Sequence, residues 1–230
     1  MVVCQKNEIF FSEHLYKLGL ILKDKYKGHD LSLALISDDL IKKQTLIQIF
    51  LLEICDLPYI LVDFFNKNKF CYKNLFDKVT HIENKQDLIE VSLSKDIIYI
   101  LTCKYIFPKQ LCETIEIYNL HCGLLPSYRG ILPTFWSFLE GNHCGVTLHR
   151  INSEIDRGEI VANYQIPQFY SYYITLKILY IRGIELIEHG IQGDHSNIPI
   201  SNSSYYKYPS LLELIKYKFL RILCAIKLDK

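Results

Sequence analysis

No long hydrophobic run, no paired-cysteine motif and no surplus of charge of either sign occurs in these 230 residues, and each absence removes a class of answer. Apolar stretches stop short of the roughly 18 to 20 residues that cross a bilayer as a helix, so no membrane-spanning segment is expected. The opening Met1-Val2-Val3-Cys4-Gln5-Lys6 lacks the basic region, apolar core and small-residue cleavage site of a signal peptide. The expectation is therefore a cytoplasmic protein. Lys and Arg number 26 against 25 Asp and Glu, a net charge of +1, which leaves no general excess of cations for a nucleic-acid backbone. The eight cysteines, at 4, 55, 71, 103, 112, 122, 144 and 224, include no C-x-x-C pair, and none stands with a histidine at zinc-finger spacing. They read as reduced, mostly buried thiols, and no metal site is expected. Internal repeats and low-complexity tracts are absent too.

Half of the residues are hydrophobic and 22% are charged, enough to bury a full core in one domain or in one domain with a small appendage. The first half alternates short β-rich runs with longer segments of helical period, the pattern of a mostly parallel sheet with crossover helices. Strands are expected at Met1 to Cys4, Leu31 to Ile36, Tyr59 to Phe65 and Ile97 to Leu101, with helices at Phe11 to Leu22 and about Leu40 to Ile54. The stretch from Asn66 to Ser94 reads as one helix and an irregular segment. Further on, Pro133 to Glu140 fits a helix with an early Pro, stopped by Gly141-Asn142. Strand-like runs follow at Gly145 to Ile151 and Glu159 to Ile166, then a helix from Ile174 to His189, a Ser/Asn-rich surface loop from Asp194 to Ser204, and a helix from Pro209 to Lys230.

The most informative stretch is N-L-H-C-G-L-L-P-S-Y-R-G, Asn119 to Gly130. Residues two apart in a strand face the same side, so Asn119 and His121 project together just where a strand gives way to a turn. In open parallel sheets, ligands bind beyond the carboxyl ends of strands. An amide and an imidazole aimed at one point can both donate hydrogen bonds to a developing oxyanion. Asp156, in the loop N-S-E-I-D-R-G, could accept from the ring, hold an imidazolium or relay a proton. The plainer alternative is a hydrogen-bonded structural His and an Asp in ordinary turn chemistry. Cys122 lies inside the same motif, without the preceding basic partner that activates a thiolate.

The run N-L-H-C-G-L-L-P-S-Y-R-G-I-L-P from Asn119 to Pro133, G-V-T-L-H from Gly145 to His149, and I-D-R-G-E-I from Ile155 to Ile160 together resemble the formyltransferases that use 10-formyltetrahydrofolate. The resemblance is strongest from Ile97 to Pro167. It implies a Rossmann-like α/β fold, a mostly parallel open sheet with flanking helices, spanning residues 1–190, with residues 191–230 as a C-terminal loop and helix for packing or dimerisation. It implies Asn119, His121 and Asp156 as the catalytic trio, with 10-formyltetrahydrofolate as co-substrate and no metal. The pterin is expected against Tyr105, Ile106 and Phe107 and near Asn152 and Ile155. The chain departs from the family in having Cys122-Gly123 where Pro-Ser is common and Asn152-Ser153 where an acidic pair is common. It also lacks a clear Gly-rich phosphate loop near its start.

Within that family the segments Y-R-G-I-L-P-T-F-W, Tyr128 to Trp136, and Y-Y-K-Y-P-S, Tyr205 to Ser210, look most like the sugar-nucleotide branch. The implied acceptor is the amino group of a nucleotide-linked amino sugar, such as a dTDP-4-amino-4,6-dideoxyhexose. Arg129 is then a candidate for an anionic substrate group and Trp136 for a ring contact, against the simpler readings of a structural anchor and a core residue. A glycinamide ribonucleotide-type enzyme and an inactive folate-binding protein of the same fold stay open. The apolar and basic C-terminal helix suggests packing on its own domain or a homodimer partner, with contact to a membrane surface as the alternative.

Overall fold

The computed structural model describes residues 1–5, 11–37, 47, 56–66, 69–168, 171–189 and 203–228. Its main sheet contains β1 (Val2–Gln5), β2 (Ser32–Ile36), β3 (Lys78–Ile82), β4 (Ile97–Ile100), β5 (Glu116–His121), β7 (Cys144–Arg150) and β8 (Glu159–Ile166), in the order β3-β2-β1-β4-β5-β7-β8. Pairing is parallel from β3 through β5 and antiparallel from β5 through β8. A separate two-stranded ribbon joins β6 (Tyr128–Gly130) to β9 (Ser204–Tyr206) in parallel. The helices are α1 (Phe11–Lys25), α2 (Leu57–Asn66), α3 (Lys85–Ser92), α4 (Lys109–Thr114), α5 (Pro133–Leu139), α6 (Tyr172–His189) and α7 (Leu211–Leu228).

Strand periodicity divides the core into two layers. Val2, Cys4, Tyr99, Leu101, Leu120, Val146 and Leu148 pack on one face with Leu15, Leu18 and Leu22 of α1 and Leu179 and Ile184 of α6. Met1, Val3, Ile98, Ile100 and Ile117 pack on the other with Leu88 of α3 and Leu111 and Cys112 of α4. A strand covered on both faces has to be apolar at every position, which is why I-I-Y-I reads as a continuous run. Helix α6 lies close on the sheet at Gly183, where a Cβ would come within 3.1 Å of Leu120 and Val146 side-chain carbons.

Two sequence expectations fail. Tyr59 to Phe65 is not a strand but the body of α2, none of whose residues is buried. A short apolar run cannot distinguish strand from helix by periodicity, and Pro58 supplies the fixed φ favoured in a first helical turn. The outer parallel strand is instead β3, in the stretch read as a helix and an irregular segment. Lys78 and His81 of β3 are exposed and Ile82 is buried. After it, Asn84 caps α3: its Oδ1 accepts from the Gln86 and Asp87 amides at 2.8 and 3.0 Å, and the Asp87 carboxylate accepts from Asn84 N at 3.2 Å. The helix expected at 40–54 lies outside the described residues except for Ile47, as does most of the loop expected from Asp194. That loop's last residue, Ser204, opens β9.

Helix α7 packs Leu214, Tyr217 and Arg221 inward, with the Tyr217 ring 5.2 Å from Phe135 and the Arg221 guanidinium 4.8 Å above Phe138 of α5. Leu211, Leu212, Ile215 and Phe219 stay exposed on its other face. Among the described residues no helix is long and apolar enough to cross a membrane. Because α6 touches the sheet through a missing side chain, Gly183→Val should overpack this contact. The expected loss is about 1–3 kcal/mol, read as a lower urea midpoint; an unchanged midpoint would show that α6 is free to shift outward.

Candidate active site

The site begins with strand register. β5 and β7 pair so that Asn119 faces His149 and His121 faces Thr147. Alternation puts these four side chains on the face of the sheet away from Leu120 and Leu148, which pack in the α6 layer. Asn119 Nδ2 lies 3.1 Å from His149 Nε2. An amide nitrogen only donates, so His149 Nε2 accepts and one Asn119 N–H remains for another partner. Burial, then the neighbouring His121, pushes the His149 ring down to about 4, opposed in part by Asp156. His149 is therefore neutral near pH 7. Its Nδ1 is buried without a hydrogen-bond partner among the described residues.

Beyond His121 the chain turns back over the ring. A Cβ at Gly123 would sit 2.5 Å from Pro133 Cβ and 3.0 Å from both His121 Nε2 and Tyr128 O, so only glycine lets the turn lie this close. Thr147 Oγ1 pins that turn, donating to Gly123 O at 2.7 Å and accepting from Leu125 N at 3.1 Å. Thr134 Oγ1 donates to Cys122 O at 2.8 Å, and Cys122 itself is buried in the core.

His121 Nε2 is 2.5 Å from Tyr128 O. A carbonyl only accepts, so this nitrogen carries a proton, and Nδ1 is the ring atom that faces Asp156 Oδ1, at 3.7 Å. His121 has committed its Nε2–H to the backbone, and Nδ1 is the ring atom left to face Asp156.

Asp156 is only 13% exposed, and its Oδ1 is also 3.8 Å from His149 Nε2. Its φ is +51°, a left-handed conformation that persists in a non-glycine residue only where surroundings impose it. They do so here: Oδ2 accepts from Gly130 N at 2.8 Å. Two residues later, a Cβ on Gly158 would fall 1.6 Å from Arg150 O. The D-x-G spacing is thus a turn requirement that also delivers the carboxylate to two imidazoles.

The remaining candidates take different places. Tyr105, Ile106 and Phe107 lie in the loop that leaves β4, whose Ile100 is paired with Asn119. Tyr105 donates its hydroxyl to Glu83 O at 3.2 Å, Phe107 is buried, and Ile106 is 56% exposed. Asn152 uses both amide atoms in its own loop, accepting from Glu154 N at 2.9 Å and donating to Arg157 O at 3.2 Å. Ile155 is 43% exposed. The Cys112 thiol lies 4.0 Å from Phe107 O and 3.8 Å from Asn152 O, so the two loops flank one point. Arg129 is buried, and its Nε has no hydrogen-bond partner among the described residues. Trp136 does not present an open ring: it is buried, stacks on Tyr206 at 4.9 Å, and donates its N–H to Ile131 O at 3.1 Å. Cavities of about 260 and 190 Å³ lie elsewhere, one beside Ser32 and Lys78 at the amino ends of β2 and β3, the other beside Tyr26, Tyr99 and Tyr118.

Sequence reasoning missed His149 and the carbonyl of Tyr128. His149 stood in a quoted motif, and its signal was the x-L-H triplet repeated in two strands, Asn119 to His121 and Thr147 to His149. Pairing them antiparallel puts the Asn of one beside the His of the other.

A mostly parallel sheet with a carboxyl-end cluster of Asn, His and Asp defines the class. Residues 58–175 match the family model described as Formyl transferase, and the chain belongs to that family. A dTDP-4-amino-4,6-dideoxyglucose formyltransferase of Mycobacterium tuberculosis is 36% identical over 67 residues. The matched stretch covers 29% of this chain and 29% of the relative. A solved sugar N-formyltransferase from Shewanella sp FDAARGOS_354 shares the fold with a TM-score of 0.58 at 16% identity, covering 94% of this chain and 86% of that one. So does an N-formyltransferase from Helicobacter canadensis in complex with folinic acid and dTDP-3-aminofucose, with a TM-score of 0.52 at 19% identity, covering 94% and 78%.

A histidine held neutral by burial makes stability depend on pH in a known direction. Its folded pKa is depressed, so the unfolded chain takes up the proton first and stability falls as pH drops from about 6.5 toward 4, then levels off. His149→Asn should lose less stability than the wild-type chain across that window. Parallel urea titrations at pH 7 and pH 4.5 check this; equal losses would show that His149 is not the group responsible.

Proposed function

We propose that this protein transfers a formyl group from 10-formyltetrahydrofolate to the amino group of a nucleotide-linked amino sugar, such as a dTDP-4-amino-4,6-dideoxyhexose. The observation that carries the reaction type is the joined cluster of Asn119, His121 and Asp156, each held by a hydrogen bond that leaves one useful atom over. The choice of acceptor rests on the relatives, whose names include sugar-nucleotide formyltransferases.

The folate would supply a formyl carbon on a nitrogen that can leave. The exposed apolar side chains of Ile106 and Ile155, on loops to either side of Asn119, suit one edge of a flat pterin, and the backbone of residues 105–107 is the expected hydrogen-bonding surface. The remaining N–H of Asn119 would donate to the formyl oxygen as negative charge builds there. His121 Nδ1 would take the proton that the attacking amine must lose, while Nε2–H stays on Tyr128 O and keeps the ring from turning. Asp156 would hold the imidazolium, and His121 would return the proton to the departing nitrogen. Neutral His149 would orient the Asn119 amide without adding a positive charge of its own.

The buried guanidinium of Arg129 would meet an anionic part of the acceptor, since an Arg with an unpaired Nε gains most from a phosphate or carboxylate. Trp136, packed on Tyr206, has no part in this assignment.

Two experiments bear on the proposal. With 10-formyltetrahydrofolate, release of tetrahydrofolate is expected with at least one dTDP- or UDP-linked amino sugar. Asn119→Ala, His121→Ala and Asp156→Asn are each expected to lower kcat about 10²–10³-fold. Turnover of glycinamide ribonucleotide alone would replace the acceptor, and folate binding without any turnover would favour an inactive folate-binding protein. For the acceptor, Arg129→Gln should raise KM for the nucleotide sugar about tenfold with kcat little changed. An unaltered KM would remove Arg129 from the site.

A further inference from the structure

Two members of the trio are held by backbone groups of one three-residue strand. His121 Nε2 donates to Tyr128 O at 2.5 Å, and Gly130 N donates to Asp156 Oδ2 at 2.8 Å. Where β6 sits therefore decides where the imidazole and carboxylate sit relative to each other. A three-residue strand cannot fix itself, so its partner matters.

That partner is β9, which lies beyond the residues that match the family model. Tyr128, Arg129 and Gly130 pair with Ser204, Tyr205 and Tyr206, and Ile131 N donates to Tyr206 O at 3.0 Å. At Gly130, with φ +96°, a Cβ would fall 2.2 Å from Tyr206 O. Glycine is thus the residue that lets the two strands close to this distance. The Tyr206 ring stacks on Trp136 at 4.9 Å and 27°, and on Tyr128 at 5.6 Å and 19°. Its hydroxyl donates to Glu140 Oε1 at 2.6 Å while that of Tyr128 donates to Glu140 Oε2 at 2.8 Å. One carboxylate at the end of α5 thereby joins the side chains of both strands, and Asn142 Nδ2 donates to the Tyr128 hydroxyl at 2.5 Å.

We infer that Tyr206 is a positioning residue for the His121 and Asp156 pair, acting through the stacked and hydrogen-bonded contact that clamps β9 onto β6. It touches neither substrate nor the reacting atoms. Its effect runs from the ring to Tyr128, through the strand to the carbonyl that holds His121 and the amide that holds Asp156. The kinetic part of this inference rests on the formyl-transfer proposal; the structural part does not.

The test therefore needs a readout that works without substrate. In protein labelled with ¹⁵N at histidine, the ring signals of His121, assigned through His121→Gln, report its tautomer and its contact with Tyr128 O. Tyr206→Ala should shift those signals and should lower kcat about tenfold or more with each KM within about threefold. Tyr206→Phe keeps both stacks and should restore the wild-type signals and bring kcat within about threefold. Glu140→Ala, at an exposed position, should shift the His121 signals less than Tyr206→Ala and serves as the deciding variant if Tyr206→Ala does not fold. Wild-type His121 signals and kcat in folded Tyr206→Ala, or in Glu140→Ala if that variant must decide, would overturn the inference. Absence of formyl transfer by the wild-type chain would count against the proposed reaction and would leave the histidine signals to decide the role of Tyr206.

Discussion

The antiparallel pairing of β5 with β7 is the constraint from which the rest of the site follows. It opposes Asn119 to His149 and His121 to Thr147, so two hydrogen-bonding jobs are assigned by register alone. His149 takes one N–H of the Asn119 amide, and Thr147 ties down the turn that folds back over His121. A slip by one residue would exchange the two faces, sending Asn119 and His121 into the α6 layer and Leu120 out of it. The packing of Leu120 and Val146 against Gly183 of α6 resists that slip. Core packing on one face of the sheet thus holds the polar cluster on the other.

The cluster also shows how buried polar groups are satisfied while chemistry is kept available. Burial without a partner is costly, and Asn119, His121 and Asp156 are each bound by a hydrogen bond that a neighbour supplies. Each bond leaves one atom over: an N–H on Asn119, Nδ1 on His121 and Oδ1 on Asp156. Backbone atoms do much of this work. Tyr128 O and Gly130 N hold the ring and the carboxylate, and the unfavourable φ of Asp156 is maintained because the Gly130 amide rewards it. This dependence on the backbone of β6 brings β9, and with it the C-terminal part of the chain, into the structure of the site.

The parts legible in the sequence are those with local causes. Strands buried on both faces announce themselves as unbroken apolar runs, as at Ile97 to Ile100, and Asn119 and His121 share a face because strand period is two. The Pro and Gly boundaries of α5 and the sharp turn at Gly158 were equally plain. Tyr59 to Phe65 misled because an exposed helix can be as apolar as a buried strand over seven residues, and β3 escaped because an edge strand need not be apolar. Trp136 was open to two readings in sequence, since nothing local reveals that Tyr206, seventy residues on, covers its ring.

By itself the sequence determined which polar side chains share a strand face, which strand ends with Asn and His aligned, and where the backbone must be glycine, because side-chain type, strand alternation and turn sterics are local properties. Only the tertiary structure decided that His149 joins the cluster, that His121 donates from Nε2 to Tyr128 O and turns Nδ1 to Asp156, and that β9 braces β6. Those outcomes depend on which strands meet and in what register, and long-range pairing leaves no periodic trace in either segment alone.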